Sequence, residues 1–232
     1  MSYDTYIFDL DGTLLDTLGD LAASVNYALR LHNMPEHSIE DVRRFVGNGV
    51  AKLIERSVPD GVDNSQYASV LSSFRQYYLE HSLDTTHPYD GIPEVLSELH
   101  QRGKHIAVVS NKFMAATQEL VSHFFGDVVD VAIGEHEAEG IRKKPAPDTV
   151  NEALRQLTLS SQRSARLCRL AQHRILHAVY VGDSDVDIMT ARNSGLPCIS
   201  VLWGFRDKEF LLAHGATTLI TRPSELLEVE QT

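Results

Sequence analysis

Cysteine is scarce in this 232-residue chain, with only Cys168 and Cys198 present and neither in a Cys-x-x-Cys pair. A disulfide framework and a cysteine metal site are thereby excluded, and reduced thiols in a cytoplasmic protein are expected. Long apolar runs are missing too. No stretch approaches the roughly 20 residues needed to cross a bilayer, and the start MSYDTYIFDL has no basic region followed by a long apolar segment, so no membrane association is expected. Positive charge is in short supply: 21 basic against 32 acidic residues give a net charge of -11. That balance works against attachment to nucleic acid or an anionic surface.

What remains is ordinary globular material, 43% hydrophobic and 23% charged, in a length that suits one domain carrying an insertion. After an opening apolar strand, Leu18, Leu21, Ala22, Val25, Ala28 and Leu29 recur at helical spacing up to Pro35. Two short helices around a Gly47-Asn48-Gly49 break follow, then a helix marked by Tyr67, Val70, Leu71, Phe74, Tyr77 and Tyr78. From Pro88 onward strand and helix alternate: HIAVVS, VVDVAIG, AVYVGD, CISVLW and TTLI, with a helix near Ala115–Phe124, another over Thr149–Leu157 and a closing helix. Alternation of this kind predicts an α/β, Rossmann-like parallel sheet with helices on both faces. The expected domains are a core of residues 1–15 and 86–232 and a small helical cap of residues 16–85 inserted after the first strand.

Asp9 and Asp11 lie two apart on extended backbone and so can share a face, while Gly12 behind them lets the chain turn. Carboxylates that close are stable only if a cation, a proton or hydrogen-bond donors offset their repulsion. Three further segments, Ser110-Asn111, Lys144 and Gly182–Asp187, fall at or just beyond predicted strand ends, the edge where open parallel sheets form sites. Carboxylates, hydroxyls and an ammonium group gathered there can hold a divalent cation and a phosphoryl group. Mg2+, a hard ion favouring a few oxygens plus water, suits Asp9 and Asp11 with Asp183 as a further ligand. A calcium loop is ruled out because the glycine of DLDGT falls at the fourth position and Asp20 stands at the twelfth.

The set DLDGT, VVSN, KKPAPD and VGDSDVD, in that order, resembles the haloacid dehalogenase-like hydrolases over nearly the whole chain. FVGNGVAKLIERS and WGFRD resemble the phosphoglycolate phosphatase-like branch. The resemblance implies that Asp9 attacks phosphorus to form an aspartyl-phosphate and that Asp11 protonates the leaving alkoxide, then deprotonates water. It further implies Mg2+ on Asp9, the Asp11 backbone carbonyl and Asp183, with Asp187 orienting waters or Lys144. Lys144 and Ser110 would neutralise the phosphoryl oxygens, and Gly12, Thr13 and Asn111 would add hydrogen bonds.

In the cap, Gly47, Asn48 and Gly49 are expected to reach the substrate, with Arg43, Arg44 or Lys52 near its carboxylate. The expected substrate is a small phosphorylated metabolite, 2-phosphoglycolate first, for a monomer or homodimer. A sugar phosphomutase, pyrophosphatase or nucleotidase uses the same apparatus, and a phosphoaspartate signalling module is the non-enzyme alternative. One stretch departs from the family pattern: TLSSQRSARLCRLAQHRILH, read as an additional helix, lies in an acid-free segment with Arg155, Arg163, Arg166, Arg169 and Arg174. A solvated helix face or a contact for an acidic surface both fit it.

Overall fold

The computed structural model describes residues 3–135, 137–167 and 177–229. β1 (Thr5–Phe8) is buried along its whole length, as an apolar run in the middle of a parallel sheet must be. It lies between β4 (His105–Phe113) and β6 (Ala178–Gly182), both parallel to it. With β5 (Val131–Glu135), β7 (Cys198–Val201) and β8 (Thr218–Ile220) the order is β5-β4-β1-β6-β7-β8. Successive side chains point to opposite faces. Tyr6, Phe8, Ile106, Val108, Val179 and Val181 therefore meet α5 (Ile92–Gln101) and α6 (Met114–Phe125), while Ile7, Ala107, Val109 and Tyr180 meet α7 (Asp148–Leu167) and α8 (Asp185–Asn193). The short α9 (Lys208–Ala213) is capped by the Asp207 carboxylate, which accepts from the Phe210 N–H.

The helical block comprises α1 (Leu18–Leu31), α2 (Ile39–Phe45), α3 (Val50–Ser57) and α4 (Tyr67–His81), with a core of its own that includes Val25, Leu29, Ile54, Phe74 and Tyr78. Both passages between block and sheet run through a two-stranded antiparallel ribbon, β2 (Leu15–Asp16) with β3 (His87–Pro88). Asp20 fastens that base. Its buried carboxylate accepts from the N–H and hydroxyl groups of both Thr85 and Thr86. Burial opposes the charge, but the four donors outweigh it and hold Asp20 below the usual carboxylate range.

Two expectations about elements need correction. The helix expected over Thr149–Leu157 and the additional one after it form one helix, α7, running unbroken to Leu167. No proline or glycine interrupts it, and the Thr158 hydroxyl donates to the Leu154 carbonyl inside the helix instead of opening a turn. Arg155 pairs with Glu152. The side chains of Arg163 and Arg166, and all of Arg169 and Arg174, lie outside the described residues, as does Cys168. The closing helix is a single 3-10 segment, Pro223–Leu227.

Candidate active site

Because the sheet grows from β1 through β4 on one side and through β6 on the other, the strand order reverses at its carboxyl end, where a crevice opens. Asp9 is the first residue past β1, and its N–H donates to the Val181 carbonyl on β6. Its Oδ1 accepts from the Leu10 N–H at 2.7 Å and lies 2.7 Å from Lys144 Nζ. Gly12 has φ of +82°, and a Cβ there would collide with Asp183, so only glycine lets the turn pass. Asp11 Oδ1 accepts from the Thr17 hydroxyl at 2.7 Å and lies 3.0 Å from Lys112 Nζ.

Asp183 follows β6 directly, and its Oδ2 accepts from the Phe205 N–H at 2.6 Å. Ser184 and Asp187 form a capping box at the start of α8, which fixes Asp187 Oδ2 against the Ser184 hydroxyl. Asp187 Oδ1 takes Lys144 Nζ at 2.9 Å and the Tyr180 hydroxyl at 3.0 Å. Lys144 is also held through its backbone: its N–H donates to Asn111 Oδ1 at 2.8 Å, and its carbonyl accepts from Asn111 Nδ2 at 3.1 Å. Asn111 and Ser110 reach this point because the β4–β5 register shifts between Val109 and Phe113. Buried Ser110 lines the cavity, its Oγ accepting from the Lys112 N–H.

The electrostatics are unbalanced. Asp9, Asp11, Asp183 and Asp187 face Lys112, Lys144 and, from the cavity wall, Arg206, four carboxylates against three cations. Burial pushes Asp9 well above the usual carboxylate range, the Asp187 charge adds to this, and Lys144 only partly opposes it. Burial and Asp187 raise Asp183 to about 7, against the pull of the Phe205 N–H. Lys144 loses from burial but gains more from Asp187 and Asp9, so it stays charged. Carboxylate oxygens of Asp9, Asp183 and Asp187 come within 4.8 Å of one another. Asp9 Oδ2 and Asp183 Oδ1 carry no hydrogen bond among the described residues. Excess negative charge with open carboxylate oxygens fits a hard divalent cation.

The helical block closes over this floor, leaving a cavity of about 40 Å3 lined by Gly47, Gly49, Val50 and Leu53 above and Asp9, Asp11, Ser110, Asn111, Lys112, Lys144 and Asp183 below. Asn48 is turned to Arg56, and the buried Thr13 hydroxyl has no hydrogen-bond partner while its carbonyl takes the Trp203 N–H. Arg43, Arg44 and Lys52 pair with Glu40, Asp41 and Glu55 on their own helices, and none lines the cavity, contrary to expectation. Helical spacing of three residues brought each cation to an acid, a cheaper partner than the cavity.

Three contributors escaped sequence reasoning. Lys112 bonds the Tyr78 hydroxyl at 2.8 Å and so joins Asp11 to α4. Tyr180 reads as an apolar strand residue, yet its hydroxyl closes the Lys144–Asp187 group. Arg206 lines the cavity from the loop before α9. For Lys112 a signal existed, since a lysine continuing a buried strand beside Ser110 and Asn111 needs an anion.

Comparison with known proteins agrees with this geometry. Residues 6–201 match the haloacid dehalogenase-like hydrolase family. A phosphoglycolate phosphatase of Aquifex aeolicus is 30% identical, covering 96% of this chain and 94% of its own. An N-acetylmuramic acid 6-phosphate phosphatase of Pseudomonas aeruginosa is 27% identical over 99% of this chain and 95% of its own. A crystal structure from Lactobacillus delbrueckii, assigned as a phosphoglycolate phosphatase, superposes with a TM-score of 0.81 at 35% identity, covering 99% of this chain and 98% of that one. The chain belongs to the haloacid dehalogenase-like hydrolase family, in its phosphoglycolate phosphatase-like branch, and is a phosphoric monoester hydrolase. The signalling-module alternative falls away.

Proposed function

We propose that this haloacid dehalogenase-like hydrolase is a Mg2+-dependent phosphatase that cleaves a small phosphomonoester through an aspartyl-phosphate on Asp9, with 2-phosphoglycolate as the leading substrate. The observation that carries the reading is the meeting of Asp9, Lys144 and Asp183 at the switch point of the sheet, beneath a helical cover. Asp9, the Asp11 carbonyl and Asp183 would hold Mg2+, with Asp187 orienting Lys144. When bound, the ion supplies charge that offsets the carboxylates and the phosphoryl oxygens.

Asp9 Oδ2, the oxygen not held by Lys144, attacks phosphorus as the P–O bond to the leaving group breaks. Asp11 gives its proton to the departing alkoxide, then takes one from the water that hydrolyses the acyl phosphate. The Thr17 and Lys112 contacts fix the carboxyl for both steps. Lys144 Nζ and the Ser110 hydroxyl stabilise the phosphoryl oxygens, while Gly12, Thr13 and Asn111 shape the turn and loops around them. Residues 16–85 act as the cap, with Gly47, Asn48 and Gly49 forming its substrate loop, and closure keeps bulk water out.

The small cavity favours a short leaving group over a sugar ring. Relatives named phosphoglycolate phosphatase support the same choice. Few cysteines, and no helix among the described residues long and apolar enough to cross a membrane, support a cytoplasmic location. A panel of phosphorylated metabolites assayed with Mg2+ tests the reading. 2-Phosphoglycolate should give the highest kcat/KM; a sugar phosphate, nucleotide or pyrophosphate well ahead of it would overturn the substrate assignment and leave the chemistry standing.

A further inference from the structure

The carboxyl end of α2 needs outside help, since a helix leaves its last carbonyls unpaired. Here two arginines divide them. Arg56, from the neighbouring helix of the cap, donates to the Phe45 carbonyl at 2.6 Å and to Asn48 Oδ1 at 2.8 Å. Arg206 comes from the core. Its guanidinium donates to the carbonyls of Arg43 at 2.8 Å, Arg44 at 3.4 Å and Val46 at 2.7 Å. A planar, permanently charged fork suits several carbonyls at the negative end of a helix. The Phe210 ring on α9 lies 5.6 Å beneath the guanidinium and aims it.

The location gives this contact a role. Val46 leads into Gly47 (φ +122°) and Gly49 (φ +86°), two of the residues that line the cavity from above. A Cβ on Gly49 would press on the Asn111 carbonyl at 3.2 Å, so the loop sits directly on the floor. On the other side of Arg206, the Phe205 N–H holds Asp183. No carboxylate pairs with Arg206 among the described residues, and its hydrogen-bond partners there are neutral carbonyls, which bind and release with little rearrangement.

We propose that Arg206 is the positioning residue that seats the substrate loop: a latch from the core that grips the end of α2 when the cap closes and is anchored in the same loop that fixes Asp183. This rests on the phosphatase reading only for its consequence in turnover; the latch itself is a statement about cap and core.

Amide hydrogen exchange of the full-length protein, with magnesium and beryllium trifluoride as an acyl-phosphate mimic, tests it in Arg206→Met and Arg206→Lys. Loss of charge-assisted bonds should speed exchange across residues 43–53 about tenfold or more in Arg206→Met, with the sheet unchanged. Arg206→Lys, which keeps the charge but not the fork, should fall between. If Arg206→Met also loosens the sheet, the lysine variant decides: faster exchange confined to 43–53 supports the latch, and unchanged exchange there overturns it. In turnover the substituted enzymes should show a KM raised about tenfold with kcat changed by less than about threefold, because the floor is untouched; a fall in kcat alone would also overturn the proposal. Should the unsubstituted enzyme turn over no phosphomonoester, the functional reading fails while the exchange result still decides Arg206.

Discussion

On the floor of the cavity Lys144 sits 2.7 Å from Asp9 and 2.9 Å from Asp187, all three buried and all supplied by the α/β core. At the seam above, Arg206 and Asn111 reach the cap through the neutral carbonyls of Arg43, Arg44, Val46 and Gly47. Charges paired in a dry interior cannot be separated cheaply, whereas hydrogen bonds to backbone exchange with water at small net cost. The floor is thus held as one unit, and the proposed closure of the cap acts on the seam. Lys112 belongs to both regions, joining Asp11 below to Tyr78 of α4.

Substitutions can break this contrast. Asp9→Asn should have the largest effect, reducing turnover to assay background while the melting temperature stays near or above that of the unsubstituted protein. The buried carboxylate opposes folding, as its raised pKa implies, and an amide does not. Lys144→Met should abolish most activity and also destabilise the protein by about 3–5 kcal/mol, because it strands Asp9 and Asp187 together. Denaturant unfolding beside activity assays checks both. Lys112→Met strands one carboxylate, Asp11, which keeps its Thr17 bond, and one neutral hydroxyl, that of Tyr78, so the stability loss should be smaller than for Lys144→Met and kcat should fall about 10²-fold.

The base of the cap offers a milder comparison. Asp20→Asn turns an amide N–H2 toward the Thr85 and Thr86 donors and should cost about 2 kcal/mol. Because the folded pKa of Asp20 is depressed, its contribution is present above the ordinary carboxylate range and lost as pH falls through the folded value. A stability curve from pH 5 downward should therefore be shallower in the variant. The smallest effect is expected at His105, remote from both regions, where a hydrogen bond to Asp130 raises its pKa. That stabilisation is full below about pH 6.5, the unfolded value, and fades as pH rises through the folded one. Replacing His105 with Gln should remove a small drop in melting temperature on going from pH 6 to pH 8.

The same contrast marks what could be read from the residues alone. Asp9, Asp11 and Asp183 stand just past apolar strands, Ser110 lies where β4 loses its regular register, and Lys144 lies in the loop between β5 and α7, so local pattern and sheet topology together bring them to one edge. The alternation of strand and helix announced the fold for the same reason. The seam could not be read that way. Arg206 meets carbonyls 160 to 163 residues earlier in the chain, and backbone carbonyls leave no trace in residue identity. Tyr180 was hidden because its ring belongs to the strand core and only its hydroxyl joins the site. Nothing between Leu157 and Leu167 breaks the helix, and the Thr158 hydroxyl bonds back within it, so α7 runs unbroken where two helices are expected.

Asp9, relieved of its neighbours' repulsion by a bound cation, is proposed to bond covalently to phosphorus in each cycle. Rapid mixing of the enzyme and Mg2+ with phosphorus-labelled substrate, acid quenching within milliseconds and peptide mapping tests it directly. Label is expected on the peptide containing Asp9, formed and lost at rates consistent with turnover and absent from Asp9→Asn. Label on another residue, or sustained Mg2+-dependent turnover by Asp9→Asn, would contradict it.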